Sequence, residues 1–144
     1  MRFALLRGTS AISKLIEWQT RGEFSHACLV FADGSVIESK EFIGVRLLSR
    51  LPHGFTQFEV KTSAMEERAI RYWAVSQIGK PYDYEGVLRF LTRHKASVSE
   101  KNKWFCSELV FAGFASIGRL LFRNTKAWEV SPDMLKRSTE AFKV

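Results

Sequence analysis

At 144 residues, with 46% apolar and 26% charged side chains, the chain is sized and composed for one globular domain, 1–144, and is neither disordered nor fibrous. Its net charge of +7 favours anionic partners. The 22 Lys and Arg residues are nevertheless scattered, without a run of five, which argues against specific nucleic-acid binding and leaves an anionic membrane surface open.

In chain order, Phe3 to Leu6 reads as a short strand. Thr9 or Ser10 caps a helix with the apolar stripe Ile12, Leu15 and Ile16, and Gly22 ends that unit. The clearest β signal follows. The runs 24–31 and 35–39 flank Ala32-Asp33-Gly34, a strong hairpin marker. In the first run His26, Cys28 and Val30 share one face, and Ala27, Leu29 and Phe31 share the other. Two registers are open. A strict two-residue turn opposes Leu29 to Glu38, whereas one extra residue at Ala32 brings Glu38 beside Cys28 and His26.

Further strands are expected over 42–51 and 55–61, split by Pro52-His53-Gly54. Ser63 and Glu66 form a capping box for a helix presenting Ala69, Ile70, Trp73, Ala74 and Ile78 and ending at Gly79. After the turn Lys80-Pro81-Tyr82-Asp83-Tyr84, Glu85 to Leu91 reads as a short helix with Val87, Leu88 and Leu91 inward. The polar, basic stretch 92–102 is an exposed connector, placed where a substrate lid would lie. Cys106 opens an apolar helix that runs on through Leu109, Val110, Phe111 and Phe114 towards Leu121. Residues 123–126 read as a loop and Trp128 to Val130 as a strand. Ser131-Pro132-Asp133 starts a last helix, and the tail from Ser138 is expected to fray.

Phe3 to Leu6 is only four apolar residues long, too short for the core of a signal peptide, and no run approaches the ~20 residues of a spanning helix. The chain is expected to be soluble and unexported, either cytoplasmic or delivered by an external route, as a phage-encoded protein would be. Two cysteines, Cys28 and Cys106, allow one disulfide but no disulfide framework. There is no CxxC, and His26, His53 and His94 fall at no metal-ligand spacing, so neither a metal site nor a cofactor is expected.

Cys106 carries the chemistry. A thiol at a helix start lies beside unpaired backbone N–H groups and the positive end of the macrodipole, a position that favours thiolate. Lys101 and Lys103 act in the same direction. The commoner role of a cysteine in such a stretch is a small buried hydrophobe, so catalysis requires a base from elsewhere in the chain. His26, mid-strand after Ser25, is the best candidate; His53 in a Pro-Gly turn and His94 in a basic loop read as solvated. Glu38 on the partner strand is the acceptor that would orient the imidazole.

This order is joined by a set of local strings. They are Phe24-Ser25-His26, Val36-Ile37-Glu38-Ser39 before Gly44-Val45, Gly79-Lys80-Pro81-Tyr82-Asp83-Tyr84, Phe105-Cys106-Ser107-Glu108-Leu109-Val110, and Ser131-Pro132-Asp133-Met134-Leu135. Together they resemble the permuted NlpC-type branch of the papain-like cysteine hydrolases, the YiiX/YebB-like group, to which lecithin:retinol acyltransferase is distantly related. The resemblance spans most of the chain. It implies an α+β, papain-like fold with a small antiparallel sheet, bearing the histidine, packed on the cysteine helix. It further implies Cys106 as nucleophile, His26 as general base and acid, and Glu38 as the residue orienting His26. Tyr82 matches the family's tyrosine and, with Ser25 and Ser107, is expected to contact substrate. The implied reaction is acyl transfer to sulfur from an amide or ester, with a peptide, cell-wall or lipid substrate. The other reading is a non-catalytic lipid- or peptide-binding module on the same scaffold. Cys28 beside His26 is a departure: a competing thiol, a redox partner or a core residue.

Overall fold

Short β-rich runs separated by turn residues give strands, and capped apolar stripes give helices that cover one face of the resulting sheet. The computed structural model describes residues 1–92 and 102–144. In chain order its elements are β1 (Arg2–Leu6), α1 (Ala11–Thr20), β2 (His26–Val30), β3 (Val36–Lys40), β4 (Gly44–Leu48), β5 (Thr56–Val60), α2 (Ala64–Val75), α3 (Tyr84–Thr92), α4 (Cys106–Ala115), a 3-10 turn (Ala127–Glu129), α5 (Pro132–Leu135) and β6 (Ala141–Lys143). The fold is α+β, with six antiparallel strands in the order β4-β3-β2-β1-β5-β6.

One face of the sheet supplies Phe3, Leu5, Ala27, Leu29, Ile37 and Phe58 to the main core, where they meet Ile70 and Ala74 of α2 and Leu109, Val110 and Phe114 of α4. Helix α4 is apolar around most of its circumference, as a helix buried on several sides must be. On the opposite face a smaller cluster of Ala4, Cys28, Val30 and Val36 is covered by Leu48, Leu51 and Phe55. His26 and Glu38 belong to this second face by strand alternation.

The hairpin takes the longer loop. Cys28 pairs with Glu38 and Val30 with Val36, leaving Ala32-Asp33-Gly34 as a three-residue turn. Phe31 N–H donates to Ser35 O at 2.9 Å and Gly34 N–H to Phe31 O at 2.9 Å. Gly34 sits at φ +83°, the left-handed position that ends such a turn, and Asp33 accepts from Ser35 N–H at 3.0 Å. The extra residue puts Glu38 on the face of His26.

Ser10 caps α1 by accepting from Ser13 N–H, and Ser63 and Glu66 form the expected capping box of α2. Several expectations are corrected. Strand β4 begins at Gly44 because Phe42 turns left-handed (φ +65°) and leaves its ring 85% exposed. Residues 128–130 form no strand: Glu129 caps a 3-10 turn by accepting from Lys126 N–H at 2.8 Å, and Val130 O accepts from the Ser107 hydroxyl. The tail does not fray. Val60 offers an edge to Ala141, and β6 pairs there. Val87 of α3 is buried as expected, but Leu88 faces solvent, as do Leu15 of α1 and Ala69 and Ile78 around α2. The apolar run after Cys106 stops being helical at Ala115. The connector expected over 92–102, with His94 and Lys101, lies outside the described residues except for its two end residues.

Gly44 joins the sheet to the loop that carries Tyr82. At φ +89° its Cα faces the Lys80 carbonyl so closely that a Cβ would lie 2.4 Å from that oxygen. Gly34 has the same backbone sign but nothing within 4 Å. Gly44→Ala is therefore expected to lower the unfolding free energy by more than the ~1–3 kcal/mol of left-handed strain alone, and Gly34→Ala by no more than that strain. Urea denaturation of both variants checks this; equal losses would show that the Lys80 contact constrains nothing.

Candidate functional site

Two element starts converge. His26 is the first residue of β2, and Cys106 is the first of α4. The Cys106 sulfur lies 3.9 Å from the carbonyl oxygen of Ser25, next to the histidine, and the thiol and imidazole interact side chain to side chain. His26 Nε2–H donates to Glu38 Oε2 at 2.5 Å, which leaves Nδ1 for the thiol. Glu38 Oε1 accepts two further bonds from Arg46, from Nε at 2.9 Å and Nη2 at 2.7 Å. Phe55 packs edge-on to the imidazole, ring centroids 6.0 Å apart.

The charges follow from this chain of contacts. Burial works against an imidazolium at His26. Interactions with the Cys106 side chain and then with the Glu38 carboxylate outweigh it and hold its pKa up at about 9. Burial likewise works against a carboxylate at Glu38, but His26 and Arg46 overcome it and bring its pKa down to about 2. Cys28, paired across from Glu38, is the opposite case. Burial first, and the Glu38 charge second, push its thiol well above the ordinary range, which makes it a neutral core residue. Its sulfur lies 3.8 Å from Ala4 O.

Backbone contacts hold the elements in place. Gly79 N–H donates to Val45 O and Val45 N–H to Lys80 O, both at 2.9 Å, which fixes the Lys80-Pro81-Tyr82 turn on β4. From there Trp104 N–H donates to Pro81 O and Asp83 N–H to Trp104 O, each at 3.1 Å, and Ser39 Oγ donates to Trp104 O at 2.7 Å. Trp104 is thereby tied to β3 two residues before Cys106. On the histidine side, Asp133 Oδ1 accepts from Glu23 N–H at 2.7 Å and from Phe24 N–H at 3.4 Å, anchoring the chain just before β2.

The remaining expected site residues divide. Tyr82 is buried against Phe105 and Tyr84, and burial followed by the Cys106 charge pushes its phenol upward. It borders a cavity of about 250 Å³ whose wall also includes His26, Ser25, Arg7, Lys40 and Glu41. Ser25 is there as a structural hydroxyl, accepting from Gly8 N–H at 2.9 Å and donating to Glu17 at 3.2 Å. Ser107 is corrected: it is fully buried, donates to Val130 O, and does not line the cavity. His53 is exposed in its turn. Arg46 was missed. The signal for it was the distance across the next turn, which sets residue 46 opposite residue 38. Also missed was the cover over the thiol. Cys106 is 1% exposed beneath Ile16, Tyr82, Val87 and Phe105, with Ile12 packed alongside. Phe105 has no side-chain acceptor with which to cap α4. Glu108 accepts from Phe105 N–H at 3.4 Å, and Cys106 follows as the first helical residue, among the positions whose N–H has no intrahelical partner.

The chain matches no family model and no curated protein. Among solved structures it is similar to the metalloprotein yiiX of Escherichia coli O157:H7, a DUF1105 protein, with a TM-score of 0.73 and 19% sequence identity over 99% of this chain and 94% of that one. That likeness establishes the shared fold.

The pair sets a pH window for stability. The raised His26 titration contributes fully below about 6.5 and is lost as the pH rises through about 9. The lowered Glu38 titration contributes fully above about 4.5 and is lost as the pH falls towards 2. Glu38→Ala, which strips a partner from a buried pair, is expected to cost roughly 3–5 kcal/mol between about pH 4.5 and 6.5, and less on either side. A difference from the parent protein that does not vary with pH, read from denaturant titrations, would contradict the pairing.

Proposed function

We propose that the chain is a cysteine hydrolase of the permuted NlpC-type, papain-like plan, acting by acyl transfer on an amide or ester. The observation that carries this reading is the convergence of Cys106, at the first turn of α4, on His26, whose far nitrogen is held by Glu38. In this mechanism the Cys106 thiol gives its proton to His26 Nδ1 and its sulfur attacks the substrate carbonyl carbon, and the C–N or C–O bond breaks in the next step. His26 Nδ1–H gives its proton to the departing nitrogen or oxygen, while Nε2–H stays on Glu38. Neutral His26 then takes a proton from water as the hydroxyl attacks the thioester, and the sulfur leaves. The Cys106 backbone N–H and the start of α4 stabilise the oxyanion. The substrates this reading favours are peptide, cell-wall or lipid. Arg7 and Lys40 beside His26, with the net charge of +7, tilt them towards anionic ones and keep an anionic membrane surface as a partner; specific nucleic acid is not among the partners proposed.

The word metalloprotein describes the yiiX structure. Here the donor set does not fit a metal. Among the described residues no group of three His, Cys, Asp or Glu side chains is arranged to hold one, and both oxygens of Glu38 are engaged by His26 and Arg46. No step is routed through a metal.

One observation favours a binding module instead: the thiol is covered, so Ile12, Ile16 and Tyr82 must part before a carbonyl reaches it. Mass spectrometry of the protein mixed with p-nitrophenyl butyrate separates the two. The hydrolase acquires a butyryl group on Cys106 with release of p-nitrophenolate and then loses it to water. Cys106→Ala forms no adduct, and His26→Ala forms it about 100-fold more slowly. Absence of acylation, or equal rates with and without His26, would support the binding module.

A further inference from the structure

We infer that Arg46 is a positioning residue of this site, clamping one oxygen of Glu38 so that the other is aimed at His26. The inference rests on the hydrolase reading and adds a fourth member to its side-chain chain. It follows from register. Strands β3 and β4 pair Glu38 directly with Arg46, and strands β2 and β3 pair Glu38 with Cys28, two residues from His26. All of these side chains share the sheet face away from α4. Arg46 places two of its fixed donors on Oε1, at 2.9 and 2.7 Å, and His26 takes Oε2 at 2.5 Å. Both oxygens are thus specified, and the carboxylate cannot rotate without breaking contacts at both ends.

The clamp also supplies charge at the step where it is needed. While His26 is an imidazolium, Glu38 has a cationic partner on each side. When His26 passes its Nδ1 proton to the leaving group it becomes neutral. Glu38, 3% exposed, would then be a buried carboxylate with no counter-charge, a cost that opposes release of the Nδ1 proton by His26. A guanidinium stays charged throughout, so Arg46 keeps Glu38 anionic across the cycle. The groups facing Glu38 are His26 and Cys28 from β2 and Arg46 from β4, with Cys106 of α4 and Tyr82 beyond the imidazole. Arg46 alone among them brings a permanent positive charge. Its side chain is 35% exposed, so part of its field is screened by solvent, and its main contribution is the two-donor geometry.

The test is the pH profile of Cys106 alkylation by iodoacetamide, with Cys28 separated by mass spectrometry, in Arg46→Ala, Arg46→Lys and His26→Ala. Thermal melts establish the folded fraction of each. Arg46→Ala is expected to slow alkylation about tenfold at pH 6 and to shift the acid-side loss of reactivity to higher pH, with partial recovery in Arg46→Lys. If Arg46→Ala fails to fold, the lysine variant decides, because it keeps the charge and loses the fork. A profile that superimposes on that of the parent protein in the folded variants, while His26→Ala is slow, would overturn the role of Arg46 alone. A His26→Ala profile that also superimposes would overturn the hydrolase reading on which the inference rests.

Discussion

A buried imidazole bonded to a buried carboxylate is the contact on which the rest of the site depends. Neither group is stable alone at this depth: burial opposes the charge on both His26 and Glu38, and each supplies what the other lacks. The pairing exists because the hairpin loop has three residues. With two, Glu38 would face the main core, where Leu29 and Ile37 now pack, and His26 would lose its acceptor. A small change in turn length therefore separates a site from a misfolded core.

The cysteine arrives by a different route, and the sheet guides it. Two hydrogen bonds hang the Gly79–Tyr82 turn on β4, and Trp104 then bridges that turn to Ser39 of β3. The same two strands that hold Glu38 and Arg46 thus carry the tether that places Cys106. Gly44 is required where the Lys80 carbonyl crosses the backbone, and Asp133 pins the segment leading to His26. The strings that first suggested a hydrolase are largely these fastenings. Most of them hold Cys106, His26 and Glu38 in place.

Which features could be read in the sequence follows from how local they are. Ser63 and Glu66, the Ala32-Asp33-Gly34 turn and the Ser131-Pro132-Asp133 helix start are decided by neighbours in the chain, and all three form as expected. The hairpin register was narrowed to two, and packing chose between them. Residues 128–130 and the tail were misread because their partners are distant: Ser107 takes the Val130 carbonyl, and the exposed edge of β5 takes Ala141. Arg46 escaped notice because a cation in a strand looks solvated until the register sets it against Glu38. The apolar cover on Cys106 joins α1, the Tyr82 turn and α3, three segments that no local pattern links.

Under the proposed hydrolase reading, access to the Cys106 sulfur turns on that cover. The cavity reaches His26 but stops short of an open path to sulfur, so turnover in the proposed hydrolase would require side chains of α1 and Tyr82 to move. Such motion has to leave the charge arrangement beneath it intact. Nitrogen-15 NMR of the histidine rings over a pH series tests that arrangement most directly. The account predicts that His26 remains an imidazolium until about pH 9, with its Nε2 proton shifted far downfield by Glu38. A ring that titrates near the ordinary 6.5 and is unaffected by Glu38→Gln would contradict it.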